Sequence, residues 1–171
     1  MSKAVLISIR PKWCEKIASG EKTIEVRKTR PKLDTPFKCY IYCTQSGVAL
    51  GAWGKHGKVI GEFTSDRIDR LAPANEPYGI YDIDDDYILQ TCLENGALWD
   101  YGHGTQLYGW HISDLKIYDT PKELAEFHTW KKCKSCSKSG YESTACIYDE
   151  NCIVPVAITK APQSWFYVEG D

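Results

Sequence analysis

The chain has 171 residues, a length that fits a single domain able to bury a hydrophobic core. Its 21 basic and 23 acidic side chains give a net charge of -2, which excludes a general attraction to nucleic acid or to an anionic membrane. Any anionic partner must therefore meet a local patch of cations.

No stretch of the sequence approaches the roughly 20 apolar residues that a membrane helix needs. The N-terminus, "MSKAVLISIRPKW", has too few apolar residues before Arg10 for the apolar region of a signal peptide. We therefore predict a soluble, cytoplasmic protein with no membrane partner. In such a protein the eight cysteines indicate core thiols and a metal site more than a set of disulfides.

The N-terminal segment predicts a strand followed directly by a helix. Residues 4–10, "AVLISIR", alternate between two faces as a strand does. Residues 11–19 have an apolar stripe at helical spacing, with Pro11 suited to the first helical position and Gly20 to the exit.

Two further strands are predicted next. The segment "KTIEVRK" has Ile24 and Val26 on its inner face and charged residues on the other. Residues 37–44 place Cys39 and Cys43 on one apolar face at a period of two. Both cysteines are therefore predicted to be core residues and not metal ligands.

The remaining chain predicts more strands than helices. A glycine-rich loop is predicted at 46–57 and a strand at 58–71. A helix capped by Asp84 follows at 84–96. A long strand is predicted at 106–119, and a helical turn opened by Thr120 and Pro121 at 121–127. A strand in "APQSWFYVEG" closes the chain. This pattern favours an α+β fold in one domain, residues 1–171, built as a small, mostly antiparallel β-barrel with helices on its rim.

A cysteine-rich segment predicts a structural zinc site. Cys133 and Cys136 form a CxxC, and Cys146 and Cys152 follow on a short return. Four thiolates can close a tetrahedral coordination sphere, so this metal would stabilise the fold without catalysing a reaction. His128 could replace one cysteine, and a disulfide or free thiols are the alternatives.

The charges of "GEKTIEVRK" allow two interpretations. Glu25 and Arg27 lie two residues apart on one strand face, so they could form a solvent-exposed ion pair of small energetic value. Alternatively, Lys22, Arg10 and Lys12 join them at one rim, where several cations around a single carboxylate would bind an anion such as a phosphate.

Two residues of the strand "YGWHI" are further candidates for nucleic-acid binding. Trp110 could supply an aromatic platform and His111 a titratable donor if this strand borders the cleft, although a lone tryptophan is more often a core residue. Glu25 could then accept a hydrogen bond from the exocyclic amine of a base.

The order of these segments resembles the ASCH family, a branch of the PUA-like β-barrels. The resemblance rests on "LISIRPKWCEKIASGEKTIEVRK", on "YGWHISDLKIYD" and on "APQSWFYVE", which together span the chain. The motif GxKxxExR is matched by Gly20, Lys22, Glu25 and Arg27. Against this pattern, residues 128–153 are an insertion before the last strand, as in variants encoded by phages and prophages.

The resemblance implies a cleft in which Lys22, Glu25 and Arg27 meet RNA or a modified nucleoside or nucleotide. One family branch removes the acyl group of N4-acetylcytidine with a lysine and a nucleophilic threonine two positions before the arginine. Here Lys22 matches the lysine, but Glu25 occupies the threonine position, and a carboxylate there could act only as a base or form an anhydride.

Three classes of function follow. The first is a binding module for RNA or a modified nucleotide. The second is a hydrolase, either an N4-acylcytidine amidohydrolase or a ribonuclease, with Lys22 and Glu25 as the catalytic acid and base and Thr23 as the nearby hydroxyl. The third is an adaptor that contacts a protein partner through the cysteine-rich insertion.

Overall fold

The computed structural model describes residues 2–45, 55–74, 79–132 and 153–170. Within these ranges the chain forms strands, three α-helices and a short 3-10 turn. The strands are β1 (Lys3–Ile9), β2 (Ile24–Arg27), β3 (Phe37–Cys43), β4 (Lys58–Ser65), β5 (Ile68–Leu71), β6 (Leu107–His111), β7 (Ser113–Lys122), β8 (His128–Lys132), β9 (Ile153–Ala157) and β10 (Trp165–Glu169). The helices are α1 (Pro11–Ala18), α2 (Asp85–Thr91) and α3 (Asn95–Gly102), and the 3-10 turn is Leu124–Glu126.

The described strands form two sheets and a hairpin. One sheet has five strands in the order β10-β1-β3-β4-β7, and its neighbours are antiparallel except for the parallel pair β1 and β3. The second sheet is antiparallel with the order β2-β6-β5. Strands β8 and β9 pair as an antiparallel hairpin. The predicted α+β class, with mostly antiparallel strands, is confirmed.

The main core lies between the two sheets. Trp110 of β6 is fully buried, and its ring packs edge-on against Phe37 of β3 and Trp165 of β10. Cys39 and Cys43 belong to the same apolar cluster and are fully buried, which confirms their predicted place in the core. Burial of this apolar surface is what holds the two sheets together.

The predicted strand, helix and strand at the N-terminus are confirmed. Helix α1 begins at Pro11, whose fixed φ suits the first helical position. The chain leaves the helix through Gly20 at φ +80°, a conformation that glycine adopts without steric cost. This turn aims the following residues into β2.

Two predicted strands are wrong in their length. The strand predicted over 58–71 is divided into β4 and β5, and the one predicted over 106–119 is divided at Ile112 into β6 and β7. In each case the two halves belong to different sheets. A chain that crosses between packed sheets keeps its alternating pattern, so periodicity alone does not reveal the crossing.

The helix predicted over 84–96 is also divided. Asp84 caps α2 as predicted, with its carboxylate accepting a hydrogen bond from the Tyr87 N–H at 2.7 Å. Helix α2 ends at Cys92, which adopts the left-handed conformation at φ 54°. Asn95 lies within the range predicted for a single helix, but it begins α3, and its side chain is hydrogen-bonded to the backbone of Tyr81.

The helical turn predicted over 121–127 starts later than expected. Strand β7 extends through Pro121 to Lys122, and the 3-10 turn that follows is capped by Glu123 and Glu126, not by Thr120. No helix among the described residues is both long and apolar enough to cross a membrane.

Candidate functional site

A cleft of about 450 Å³ opens where β2 faces the end of β1. Helices α1 and α3 and the segment before β10 complete its walls. It is lined by Ser8, Ile9, Arg10, Trp13, Lys22, Glu25, Val26, Arg27, Thr44, Leu93, Ala97, Tyr101, Gln163 and Ser164. The charged segment of the GxKxxExR motif therefore forms one wall of an open cavity.

Lys22, Glu25 and Arg27 form a connected ion network in this wall. The Glu25 Oε2 atom lies 3.4 Å from Lys22 Nζ, and its Oε1 atom lies 2.9 Å from Arg27 Nη2. Lys22 Nζ also donates a hydrogen bond of 2.6 Å to the carbonyl of Thr91, at the end of α2. The single carboxylate thus joins both cations.

Arg27 also connects the two sheets. Its Nη2 atom donates a 2.7 Å hydrogen bond to the carbonyl of Ser8 in β1, and its Nη1 atom lies 3.5 Å from the Ser164 hydroxyl before β10. The Nε atom of Arg27 is buried and has no hydrogen-bond partner within the part of the chain that the structure describes.

The backbone around Lys22 is fixed by two helices. The N–H of Lys22 donates to the carbonyl of Lys16 in α1, and the N–H of Thr23 donates to the carbonyl of Gln90 in α2, with distances of 2.9 and 3.0 Å. Strand β2 then pairs with β6, with Glu25 opposite Trp110. The backbone of residues 22–27, which carries the network, is thus held by the two helices at its start and by β6 along β2.

The network is buried, so the interpretation of Glu25 and Arg27 as a solvent-exposed ion pair is wrong. Lys22, Glu25 and Arg27 are 2%, 6% and 8% exposed. Both faces of β2 are covered, because the face of Glu25 and Arg27 turns towards Ser8 of the larger sheet and the cleft, and α2 packs against the opposite face, at Ile24. Charges removed from water carry a large desolvation cost that their mutual attraction must offset.

Arg10 adds an exposed cation to the cleft. It lies immediately before α1, where its carbonyl accepts hydrogen bonds from the N–H groups of Trp13 and Cys14, and its side chain makes no cap. Three cationic side chains and one carboxylate therefore line the cleft. Lys12, also predicted at this rim, is exposed but is not among the residues that line the cavity.

Two aromatic side chains at the cleft were not predicted. Trp13 lies beneath two ammonium groups, with Lys12 Nζ at 4.7 Å and Lys22 Nζ at 5.3 Å from its ring. Tyr101 of α3 is 37% exposed, and burial of its hydroxyl raises the pKa of the phenol. Trp13 was assigned to an apolar helical stripe, and Tyr101 follows the point where the helix was expected to end.

Trp110 and His111, by contrast, are not brought to the cleft, which corrects their assignment to the binding surface. The Trp110 ring is fully buried in the core, so no ligand can stack on it. His111 lies beside Asp69 and Arg67, with its Nε2 atom 2.6 Å from the Asp69 carboxylate. Strand β6 lies between β2 and β5, so its residues face the core or the far side of the sheet.

The hydroxyl groups at the cleft also differ from the expected one. Thr23, the predicted candidate for a nucleophile, is not among the described residues that line the cavity. Ser8, Thr44 and Ser164 do line it. The Ser8 hydroxyl donates to the carbonyl of Pro162 at 2.7 Å.

The predicted zinc ligands cannot be placed. Cys133, Cys136, Cys146 and Cys152 lie outside the described residues. Among the residues that are described, no group of three or more histidine, cysteine, aspartate or glutamate side chains could hold a metal ion. The zinc site therefore stays a prediction, and so does the role of His128, which begins β8.

The architecture is similar to solved structures of an ASCH protein from Zymomonas mobilis. One of them covers 97% of this chain and 87% of its own length, with a TM-score of 0.59 and 18% sequence identity. The chain has the ASCH fold. Two point mutants of the Zymomonas protein share this ASCH fold at TM-scores of 0.54 and 0.53, with 22% and 23% identity over 72% and 71% of this chain and 77% and 74% of theirs.

The similarity to the Zymomonas protein lies in the fold and not in the sequence. No protein-family model matches the sequence, and no curated protein matches it. The ASCH fold predicted from the order of the segments is thus confirmed at the level of architecture, whereas the phage-type assignment stays a prediction.

Proposed function

We propose that this ASCH-fold chain binds RNA or a modified nucleotide in the cleft formed by Arg10, Lys22, Glu25 and Arg27. The observation that carries the proposal is the buried ion network, in which a single carboxylate faces two buried cations with a third cation at the opening. An excess of buried positive charge is unfavourable unless an anion joins it. A phosphate group in the cleft supplies that anion.

The other side chains of the cleft suit the rest of a nucleotide. Tyr101 offers a partly exposed ring on which a base can stack. Glu25 can accept a hydrogen bond from the exocyclic amine of a base, and Arg10 can contact a phosphate at the opening. A nucleotide bound in this way would touch both sheets and α3.

Arg10 offers the clearest test, because its side chain is exposed and takes no part in the buried network. We expect Arg10→Gln to weaken binding of a fluorescein-labelled single-stranded RNA about tenfold, since a hydrogen bond between charged groups contributes about 1.5 kcal/mol. The slope of affinity against salt should become shallower by about 0.7, as for one lost phosphate contact on a single strand. Fluorescence anisotropy at several salt concentrations measures both.

Arg70→Gln is the matched control, because Arg70 is an exposed arginine of β5 that does not line the cleft. It should leave affinity and salt dependence unchanged. An equal loss in both variants would mean that the RNA binds by general surface charge, and no binding by the wild-type protein even at low salt would overturn the proposed function.

A hydrolase remains the alternative, because two serines and a threonine line the same cleft as Lys22. We expect N4-acetylcytidine and the RNA to stay intact, since Lys22 Nζ is held by Thr91 and Glu25 and no hydroxyl occupies the Glu25 position. Liquid chromatography of the incubated compounds provides the measurement. Turnover that Lys22→Ala abolishes would favour the hydrolase, and turnover that survives this change would indicate a contaminant or another site.

We also propose that the cysteine-rich segment binds one zinc ion. Lys132 and Ile153 are register partners in the hairpin of β8 and β9, so the chain leaves and returns at neighbouring positions, next to Cys133 and Cys152. Elemental analysis of protein purified without added metal should give about one zinc per chain. Cys136→Ser should lose the zinc, whereas Cys92→Ser, a change at a partly exposed thiol beyond α2, should keep it.

Metal-free protein that retains its fold would contradict the zinc proposal. A protein partner for the cysteine-rich insertion is likewise a proposal, as is a cytoplasmic location.

A further inference from the structure

Two cysteines and a histidine meet behind the wall of the cleft. Cys14 lies in α1 and Cys43 is the last residue of β3. Both positions converge on Ile9, whose carbonyl accepts a hydrogen bond from the Cys14 thiol at 3.5 Å and from the N–H of Thr44 at 2.9 Å. Cys43 is the register partner of Ile9 in the neighbouring strand, and its Sγ atom lies 3.8 Å from His56 Nδ1.

The environment makes the two thiols different. The hydrogen bond from Cys14 lowers the pKa of Cys43 most and the His56 ring lowers it further, against the raising effect of burial, so that the pKa falls to about 7. The same hydrogen bond and burial raise the pKa of Cys14 far above its ordinary value. Near neutral pH, Cys43 is therefore a thiolate in part, and Cys14 a thiol beside it.

We propose that Cys14 and Cys43 form an oxidation site, in which Cys43 is attacked first by a peroxide and Cys14 then closes an internal disulfide. The geometry that supports this is the placement of both cysteines beside Ile9 and of the His56 ring beside Cys43 Sγ. A reactive thiolate next to a second thiol is the arrangement that redox-active cysteine pairs use.

The chemistry balances with hydrogen peroxide as the oxidant. The Cys43 thiolate attacks one peroxide oxygen, the O–O bond breaks, and Cys43 becomes a sulfenic acid while hydroxide leaves. The Cys14 sulfur then attacks the Cys43 sulfur, the S–O bond breaks, and the second hydroxide leaves with the Cys14 proton as water. Two thiols are oxidised by two electrons, and the peroxide is reduced to two molecules of water once the first hydroxide is protonated.

Cys39 shows that burial in the core does not by itself lower the pKa of a thiol. It lies four residues before Cys43 in the same strand, belongs to the same apolar cluster and is equally buried. Burial there raises the pKa of the thiol well above its ordinary value. Because Cys43 is also fully buried, the oxidant must be small, and this is why hydrogen peroxide is the probe.

Peptide mapping of the full chain tests the proposal without any substitution. The protein is treated with hydrogen peroxide near neutral pH, the remaining thiols are alkylated, and the peptides are analysed by mass spectrometry. We expect a disulfide between the peptides that contain Cys14 and Cys43, formed about tenfold or more faster than any oxidation of Cys39, because thiolate content controls the rate. Cys39 in the same sample is the matched control.

Two variants assign the roles of the sulfurs. In Cys14→Ser, dimedone should trap a sulfenic acid at Cys43, whereas in Cys43→Ser the Cys14 thiol should stay reduced. His56→Gln should slow disulfide formation. Circular dichroism of each variant checks that it is folded.

The proposal is overturned if Cys43 remains a thiol in the wild-type protein under peroxide that oxidises the partly exposed Cys92. It is also overturned if Cys39 and Cys43 are oxidised at the same rate, since burial alone would then govern both. These outcomes do not depend on whether the cleft binds RNA.

Discussion

At the scale of single residues, Glu25 balances the charges of the cleft, because each of its two carboxylate oxygens contacts a different buried cation. Oε2 is near Lys22 and Oε1 is near Arg27. Loss of one member of a buried ion network leaves the others desolvated and unpaired, and this costs more than the intact network contributes. The loss of unfolding free energy when the Glu25 charge is removed therefore tests whether this network is buried.

We expect Glu25→Gln to lower the free energy of unfolding by about 3 to 5 kcal/mol, the range for breaking a buried ion pair. The matched change is Glu21→Gln, because Glu21 also pairs with a lysine, Lys16, at 2.7 Å but lies at the surface. Urea denaturation should show little change for Glu21→Gln, since solvent screens an exposed pair. Equal and small effects of both substitutions would contradict the burial of Glu25.

The same substitution separates two roles of Glu25 in binding. If Glu25 only holds Lys22 and Arg27, removing its charge should tighten the binding of inorganic phosphate, which isothermal titration calorimetry can measure. If Glu25 also accepts a hydrogen bond from a base, selectivity among the four nucleoside monophosphates should fall. Before both measurements, circular dichroism at the temperature of the titration should determine the fraction of folded protein.

At the scale of elements, Gly109 allows α2 to pack closely on β6, whereas Gly96 of α3 lies in open space. A Cβ atom at Gly109 of β6 would overlap the hydroxyl of Tyr87 from α2 and would lie 3.1 Å from the Ile24 side chain. A Cβ at Gly96, in the first turn of α3, would meet nothing within 4 Å. The same substitution should therefore have opposite effects at the two positions.

Gly109→Ala should destabilise the fold by about 1 to 3 kcal/mol, because the buried Tyr87 side chain must move away from β6 to accommodate the methyl group. Gly96→Ala should stabilise it by about 0.5 kcal/mol, since alanine loses less backbone freedom in a helix than glycine does. Thermal unfolding of the two variants beside the wild type checks both signs. A destabilised Gly96→Ala would indicate that residues 95–102 are not helical.

At the scale of the whole molecule, the two sheets share one core. The cluster around Trp110 contains residues of β1, β3 and β4 from the larger sheet, and Arg27 of the smaller sheet is hydrogen-bonded to Ser8 of the larger one. Neither sheet can separate without exposing this apolar surface and breaking the buried ion network.

We therefore expect the described core to unfold in one cooperative transition. The midpoint in urea should be the same by far-UV circular dichroism, which reports both sheets, and by tryptophan fluorescence, to which Trp110 and Trp165 contribute. Two separated transitions would show that the sheets fold independently, and would remove the basis for a cleft built between them.

Several features could be predicted from the sequence because local chemistry dictates them. Pro11 and Gly20 mark the ends of α1, since a fixed φ suits the start of a helix and a positive φ its exit. The alternation around Cys39 and Cys43 predicts a strand with a buried face. The motif also predicted that Lys22, Glu25 and Arg27 lie together in a cleft, and all three line it.

The tertiary structure alone decided which surfaces these elements turn to water. Periodicity predicts that Glu25 and Arg27 share a face, but the larger sheet and the walls of the cleft bury that face, so an expected surface pair became a buried network. Trp110 lies inside because β6 is the central strand of its sheet, and Tyr101 reaches the cleft because a second helix follows α2. The local sequence determines the periodicity and the ends of a helix or strand, whereas contacts between residues distant in sequence determine which other elements pack against it.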